Sequence, residues 1–274
     1  LNDRRGQEVE TSRQVTYEPR SASTAVGTLV PINMRDAVQN SLNRLEDEVG
    51  DLDEFVASRI GMDVDAMQRN FSAEQVDALA MAINNAEHGG GFIIGDQTGI
   101  GKGRIVAGMI RYAINQGLTP VFVTEKPNLY ADMMRDLADI GMGEMLGYGT
   151  DELRVLMTNK DESVPYGANG EYQMPKLGRQ ADAVMQDMVD NGQVDPKYLA
   201  VFTTYSQMQT SAGSMPVRMK AIQAIMPNAY LILDESHNAG GTGAAGGRKT
   251  AKQLIAERTN GFVGRSGFMR LLVQ

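Results

Sequence analysis

The stretch GFIIGDQTGIGKGR, Gly91 to Arg104, opens on a short apolar run, turns through four glycines and leads into an amphipathic segment. The run Gly91–Gly95 reads as a strand buried on both faces. From Lys102 onward, Ile105, Val106, Met109, Ile110 and Ala113 recur at helical spacing, which predicts a helix. A glycine-rich turn between strand and helix lets backbone N–H groups curl around phosphate oxygens. The helix N-terminus adds a favourable dipole, and Lys102 reaches toward the β- and γ-phosphates. Thr98, Gly99, Gly101, Lys102, Gly103 and Arg104 are the candidate nucleotide contacts. The plainer reading, a glycine-rich turn with an incidental lysine, is disfavoured by the flanking strand and helix.

One position departs from the common phosphate loop. Gly103 follows Lys102, where a Ser or Thr hydroxyl normally ligates Mg²⁺. Water at that position, compensation by Thr98 or another residue, and weak metal binding are the open alternatives.

The second chemical signal is LILDESH, Leu231 to His237, an apolar strand ending in two acids. Asp234 is the candidate Mg²⁺ ligand, Glu235 the group that orients or deprotonates the attacking water, and His237 the link to neighbouring elements. An isolated Asp-Glu is more often a plain strand end. Its place at the end of a second apolar strand, downstream of a phosphate loop, reverses that weighting.

Around these motifs, strands and helices alternate. Strands are expected at Pro120–Thr124, Leu153–Thr158, Leu199–Thr203 and Ala229–Leu233. The intervening helices are Asn128–Ile140, Gln180–Val189 and Val217–Ile225, with a further one at Lys249–Arg258. Such alternation implies an α/β fold with a mainly parallel sheet flanked by helices. Before the core, residues 1–30 lack periodicity and read as an extended arm or linker. Helices follow from Asn33 to Gly50 and from Leu52 to Ile60. Ser72 with Gln75 marks a capping box that opens another helix. The division is residues 1–70, an arm with a small acidic helical extension, and residues 71–274, a nucleotide-binding domain.

Composition narrows the chemistry. The chain has no cysteine, which removes disulfides, thiolate metal sites and a cysteine nucleophile. Its only histidines are His88 and His237, too few for a histidine zinc site. No apolar run approaches the roughly 18 residues of a membrane span, and Leu1–Arg20 lacks a signal-peptide pattern, so a cytoplasmic protein is expected. The net charge of −8 argues against bulk attraction to nucleic acid, although a motor can grip a phosphate backbone in a local groove. The eighteen methionines suggest an adaptable core.

Weaker signals lie between the two motifs. Gln75, near Phe71, is a candidate to read an adenine edge, weighed evenly against a solvent-facing glutamine. Thr124–Lys126 and Thr203–Ser206 end strands, where hydroxyls and amides can contact a nucleic-acid backbone; alone, each is ordinary loop chemistry. Of the arginines that can serve phosphate, Arg104, Arg135 and Arg265, only Arg104 is favoured by position.

The order of motifs resembles superfamily-two helicases: Gln75 for the Q motif, DQTGIGKGR for motif I, VFVTEKPNL for motif Ia, FTTYS for motif Ib and DESH for the DExH box. The strawberry-notch-like group is more similar still, through Gly103-Arg104 after the lysine, NLYADMMRDLADIG (Asn128–Gly141), Thr204-Tyr-Ser206 and the Gly27–Gly61 segment. The resemblance implies a RecA-like P-loop NTPase domain, with ATP and Mg²⁺ as cofactors and DNA as partner. It implies the ATP-binding half of a DExH-type motor, an ATP hydrolase coupled to translocation on DNA or its remodelling, weak or inactive by itself. It also implies a second RecA-like domain beyond this chain, and makes Gly103 a family trait. Phage relatives linked to protection against restriction suggest the alternative, a non-hydrolysing or structural scaffold packaged in a virion. A small-molecule kinase is disfavoured by the DESH box.

Overall fold

The computed structural model describes residues 13–94, 101–208, 216–234 and, as backbone, 270–273. The expected helix at 249–258, the loop residues Thr98 and Gly99, the acid Glu235, and His237 and Arg265 lie outside the described residues.

Two three-residue strands, β1 (Gln14–Thr16) and β2 (Leu29–Pro31), pair antiparallel ahead of α1 (Ile32–Val49), α2 (Leu52–Ile60) and α3 (Val64–Asn70). Then come α4 (Ala73–Glu87), β3 (Gly91–Ile93), α5 (Lys102–Asn115), β4 (Thr119–Thr124) and α6 (Leu129–Asp139). Strand β5 (Val155–Met157) precedes a small hairpin of β6 (Pro165–Tyr166) and β7 (Tyr172–Gln173), and α7 (Ala181–Asn191) follows. The remaining described strands and α-helix are β8 (Ala200–Thr204), α8 (Val217–Ile225), β9 (Ala229–Leu233) and β10 (Arg270–Val273).

Six strands form one parallel sheet in the order β3-β10-β9-β4-β8-β5. Side chains alternate across its two faces, as strand geometry requires. Phe122, Phe202, Tyr230 and Ile232 pack with α4, α5 and α6, where Tyr112 meets Tyr230 edge-on at 6.1 Å between ring centroids. Val121, Val123, Val201, Leu231 and Leu233 pack on the other face with α7 and α8. The result is a RecA-like α/β sandwich, helices on both sides of a parallel sheet. Leu42, Phe55 and Val56 of α1 and α2 belong to the same apolar core as α5 and the sheet.

Two sequence expectations need amendment. Strand β3 is not buried on both faces: it lies at the edge of the sheet, and Ile93 is 72% exposed. Its short apolar run reads like a central strand because periodicity cannot report position in the sheet. The segment from Gln14 to Pro31 is extended, but it is docked rather than a free linker. Buried carboxylates of α2 and α4 hold its backbone. Asp77 accepts from the Tyr17 hydroxyl (2.7 Å) and from the N–H groups of Arg20 (2.9 Å) and Ser21 (3.0 Å). Glu74 accepts from Val26 and Gly27, and Asp53 from Ala22. Carboxylates satisfy these orphan amides where no sheet partner does.

Candidate nucleotide site

The two chemical motifs arrive at one edge of the sheet. Val273 of β10 pairs with Ile93 on one side and Leu233 on the other, so β3 and β9 run level, in the same direction, with one strand between them. Strand spacing puts their ends about 10 Å apart, a span that a nucleotide's phosphates can bridge. Asp234 follows Leu233 directly and is held by three contacts. Its N–H donates to Val123 O at 2.9 Å, its Oδ2 accepts from the Thr124 hydroxyl at 2.6 Å, and its carbonyl accepts from the Tyr205 hydroxyl at 2.6 Å.

On the β3 side, the phosphate loop leaves through Gly101, which sits in the left-handed region at φ 75°. A side chain is excluded there twice over, by that conformation and by Gln75 Nε2, which would lie 2.5 Å from a Cβ. Gln75 is 8% exposed. Its Oε1 accepts from Ser72 N–H at 3.0 Å, completing the capping box of α4, and its Nε2 donates to Gly101 O at 3.3 Å. The amide thus joins the start of α4 to the end of the loop. Lys102 opens α5, half-buried beside these groups.

Gly103 meets α6. A Cβ built on it would fall 2.0 Å from Asp136 Oδ2. Burial raises the Asp136 pKa against the opposing pull of the Arg135 guanidinium. Arg104 turns from the loop toward protein partners: one nitrogen donates to Asn70 O at 3.1 Å and another pairs with Asp139 at 2.7 Å. Arg135 pairs with Asp132 and Asp136. Contact between α5 and α6 leaves no periodic signal, so the approach of Asp136 to Gly103 is not legible in the sequence.

Further along the same edge, Thr124, Thr158, Thr203 and Thr204 are buried. Thr158 Oγ1 lies 2.8 Å from Thr203 Oγ1 and 3.1 Å from Gln207 Oε1; Asn159 bridges the Tyr130 hydroxyl and Thr204. The threonine hydroxyls read from sequence as strand-end contacts are thus engaged inside the protein, Thr124 by Asp234, Thr203 by Thr158 and Thr204 by Asn159. Glu125, Lys126, Asn128 and Ser206 are the residues of these loops that face solvent.

The oxygen donors present suit magnesium, which takes one or two carboxylates and completes its shell with phosphates and water. Asp234 is such a carboxylate, at the end of β9. Among the described residues no group of three or more His, Asp or Glu converges. No described helix is long and apolar enough to cross a membrane.

A family model described as P-loop containing NTP hydrolase pore-1 matches residues 55–259, well over half of the chain. No protein of curated function matches the sequence.

Proposed function

The chain belongs to the P-loop containing NTP hydrolase pore-1 family, and from that premise we propose that it is the ATP-binding half of a DExH-type, helicase-like motor acting on DNA, of the strawberry-notch-like group. The observation that carries this reading is the level ending of β3 and β9 in one parallel sheet, with Asp234 tied to the last residue of β4. Lys102 and the backbone of the loop bind the phosphates, while Asp234 holds the cation. Glu235, next in sequence, orients or deprotonates the attacking water. A Mg²⁺ ion held there would supply positive charge against that developing on the phosphates.

The motor reading draws on the same edge. Thr124 is bonded to Asp234, and two residues further Lys126 faces solvent beside Asn128. A DNA backbone gripped there would bear on the strand end that positions the acid. The test is ATP hydrolysis, with and without duplex DNA, by the protein that carries both halves of the proposed motor. Turnover that rises with DNA and disappears in Lys102→Ala and Glu235→Gln is the expected result. Turnover indifferent to DNA leaves an NTP hydrolase and removes the motor; no turnover favours the scaffold reading, to which Gly103, lacking the usual hydroxyl, lends weight.

A further inference from the structure

At the start of α4, consecutive residues divide their bonds between two partners. Ser72 and Gln75 close the capping box, and the Gln75 amide goes on to Gly101 O at the exit of the phosphate loop. Ala73 and Glu74, between them, are taken by the loop that joins β1 to β2. The Ala73 N–H, an orphan donor of the helix's first turn, donates to Thr24 O at 3.1 Å. The Glu74 carboxylate accepts from the N–H groups of Val26 (3.1 Å), Gly27 (2.9 Å) and Thr28 (3.4 Å). One turn on, Asp77 accepts from Tyr17, Arg20 and Ser21. The loop from Tyr17 to Thr28 is therefore fastened to α4 by residues that flank Gln75 on both sides.

Docking has a cost as well as a gain. Glu74 and Asp77 are buried carboxylates, and among the described residues neither pairs with a cation. Ser23 Oγ and Asp53 Oδ1, in the same contact region, are buried with no hydrogen-bond partner. Buried charges and unmet polar atoms are unfavourable. Undocking returns them to water, and the opening of such a segment is set by that balance.

We infer that the Tyr17–Thr28 loop supports the nucleotide site through α4: docked, it holds the helix start so that Gln75 meets the phosphate loop, and docking and nucleotide binding strengthen each other. Glu74 is a positioning residue in this scheme and acts through Gln75. The coupling rests on the nucleotide site described above. The plainer alternative is a rigid α4, anchored by the fully buried Val76, Leu79 and Ile83, that stays in place whether or not the loop is docked. The two differ in what nucleotide does to the loop, since a coupling free energy between two sites is reciprocal.

The test is hydrogen exchange of the whole chain over residues 17–28, with and without a saturating non-hydrolysable ATP analogue and Mg²⁺, beside the affinity for a fluorescent ATP analogue. In the unsubstituted protein, nucleotide should slow exchange in the loop about fivefold or more. The β6–β7 hairpin, which shares no strand with the six-stranded sheet, should not change. Gln75→Ala at saturating nucleotide should abolish the slowing. Glu74→Gln should speed exchange at Val26 and Gly27 and weaken nucleotide binding about fivefold, with cooperative melting as the fold control. A Glu74→Gln protein whose loop exchanges faster at unchanged nucleotide affinity overturns the coupling and leaves the nucleotide site intact. Slowing that survives in Gln75→Ala overturns it too. If Glu74→Gln does not fold, the unsubstituted protein decides: nucleotide that binds without slowing the loop overturns the proposal. Failure of the unsubstituted chain to bind nucleotide at all overturns the site reading and the coupling with it.

Discussion

The Thr124 hydroxyl donates to Asp234 Oδ2 across 2.6 Å, tying the end of β4 to the end of β9 over 110 residues of sequence. Thr124 is fully buried, so its hydroxyl has no competing water. The bond fixes the orientation of the acid that follows β9 at the nucleotide edge.

Thr124→Val removes that donor with little change of shape. A hydrogen bond to a charged group contributes about 1.5–3 kcal/mol, so hydrolysis should fall roughly 10- to 100-fold if the orientation serves the chemistry. Steady-state kinetics at saturating Mg²⁺ check this. An unchanged kcat would mean that Asp234 is held adequately without the Thr124 hydroxyl, by contacts that include Tyr205 and the backbone bond to Val123.

Gln75 makes a separate link. Its amide serves both the Ser72 cap and the Gly101 carbonyl, so Gln75→Ala should do two things at once. Loss of the capping interaction costs about 1 kcal/mol, lowering Tm by about 2–4 °C. Release of the loop should weaken nucleotide binding as well, by about three- to tenfold. Calorimetry and analogue binding separate the two; a Tm change with full nucleotide affinity would confine Gln75 to capping.

These residues show where sequence is a good guide to this protein. The helices α4, α5 and α6 and the strands β4, β8 and β9 are legible because each is a local pattern: a cap, a 3.6-residue period, or a run of apolar residues. The phosphate-loop motif and the Asp-Glu pair stand out in the sequence for the same reason, although residues 95–100 and Glu235 lie outside the described residues. Strand β10 is only four residues long, and its role, filling the gap between β3 and β9, exists only in the assembled sheet. The Gln14–Pro31 segment has no periodicity because its partners are carboxylates on distant helices. Asp136 is invisible for a related reason: its relation to Gly103 spans two helices, and nothing in NLYADMMRDLADIG marks one aspartate above the others. The hydroxyls of Thr203 and Thr204 were visible, but not their inward bonding.

The docked N-terminal segment should be acid-sensitive. For Glu74, burial by itself would raise the pKa, but its own N–H and those of Val26, Gly27 and Thr28 outweigh it and hold the value below the usual 4.5. A depressed carboxylate contributes stability that is present above its unfolded value and lost as pH falls through the folded one. Asp77 has the opposite sign. Burial raises it above 3.8 despite donors from Arg20, Tyr17 and Ser21, so its contribution is full at low pH and declines as pH rises through its folded value. Glu74→Gln should therefore lower Tm at neutral pH, and the difference should shrink as acid carries the pH below the usual carboxylate value of 4.5 and through the depressed one. Hydrogen exchange at the amides of Val26 and Gly27 should follow the same curve. A Tm difference independent of pH would rule out the charge of Glu74 as the cause.

The last prediction separates buried hydroxyls from exposed charge at the sheet's edge. Thr203 is fully buried, and its hydroxyl meets Thr158 at 2.8 Å. Thr203→Val should cost about 1 kcal/mol of stability and leave DNA binding unchanged, because no DNA can reach it without opening the core. Lys126 is different. Its ammonium lies 3.8 Å from Glu125 with 67% of the side chain exposed, a pairing worth little to the fold. Lys126→Glu should leave Tm within experimental error, weaken DNA binding at every sequence, and reduce the slope of log affinity against log salt by about one. ATP hydrolysis without DNA should be unaffected, while stimulation by DNA declines. DNA titrations at several salt concentrations decide between the two residues. A Thr203→Val protein that is stable yet loses DNA stimulation, beside a Lys126→Glu protein that keeps it, would move the nucleic-acid surface away from this edge.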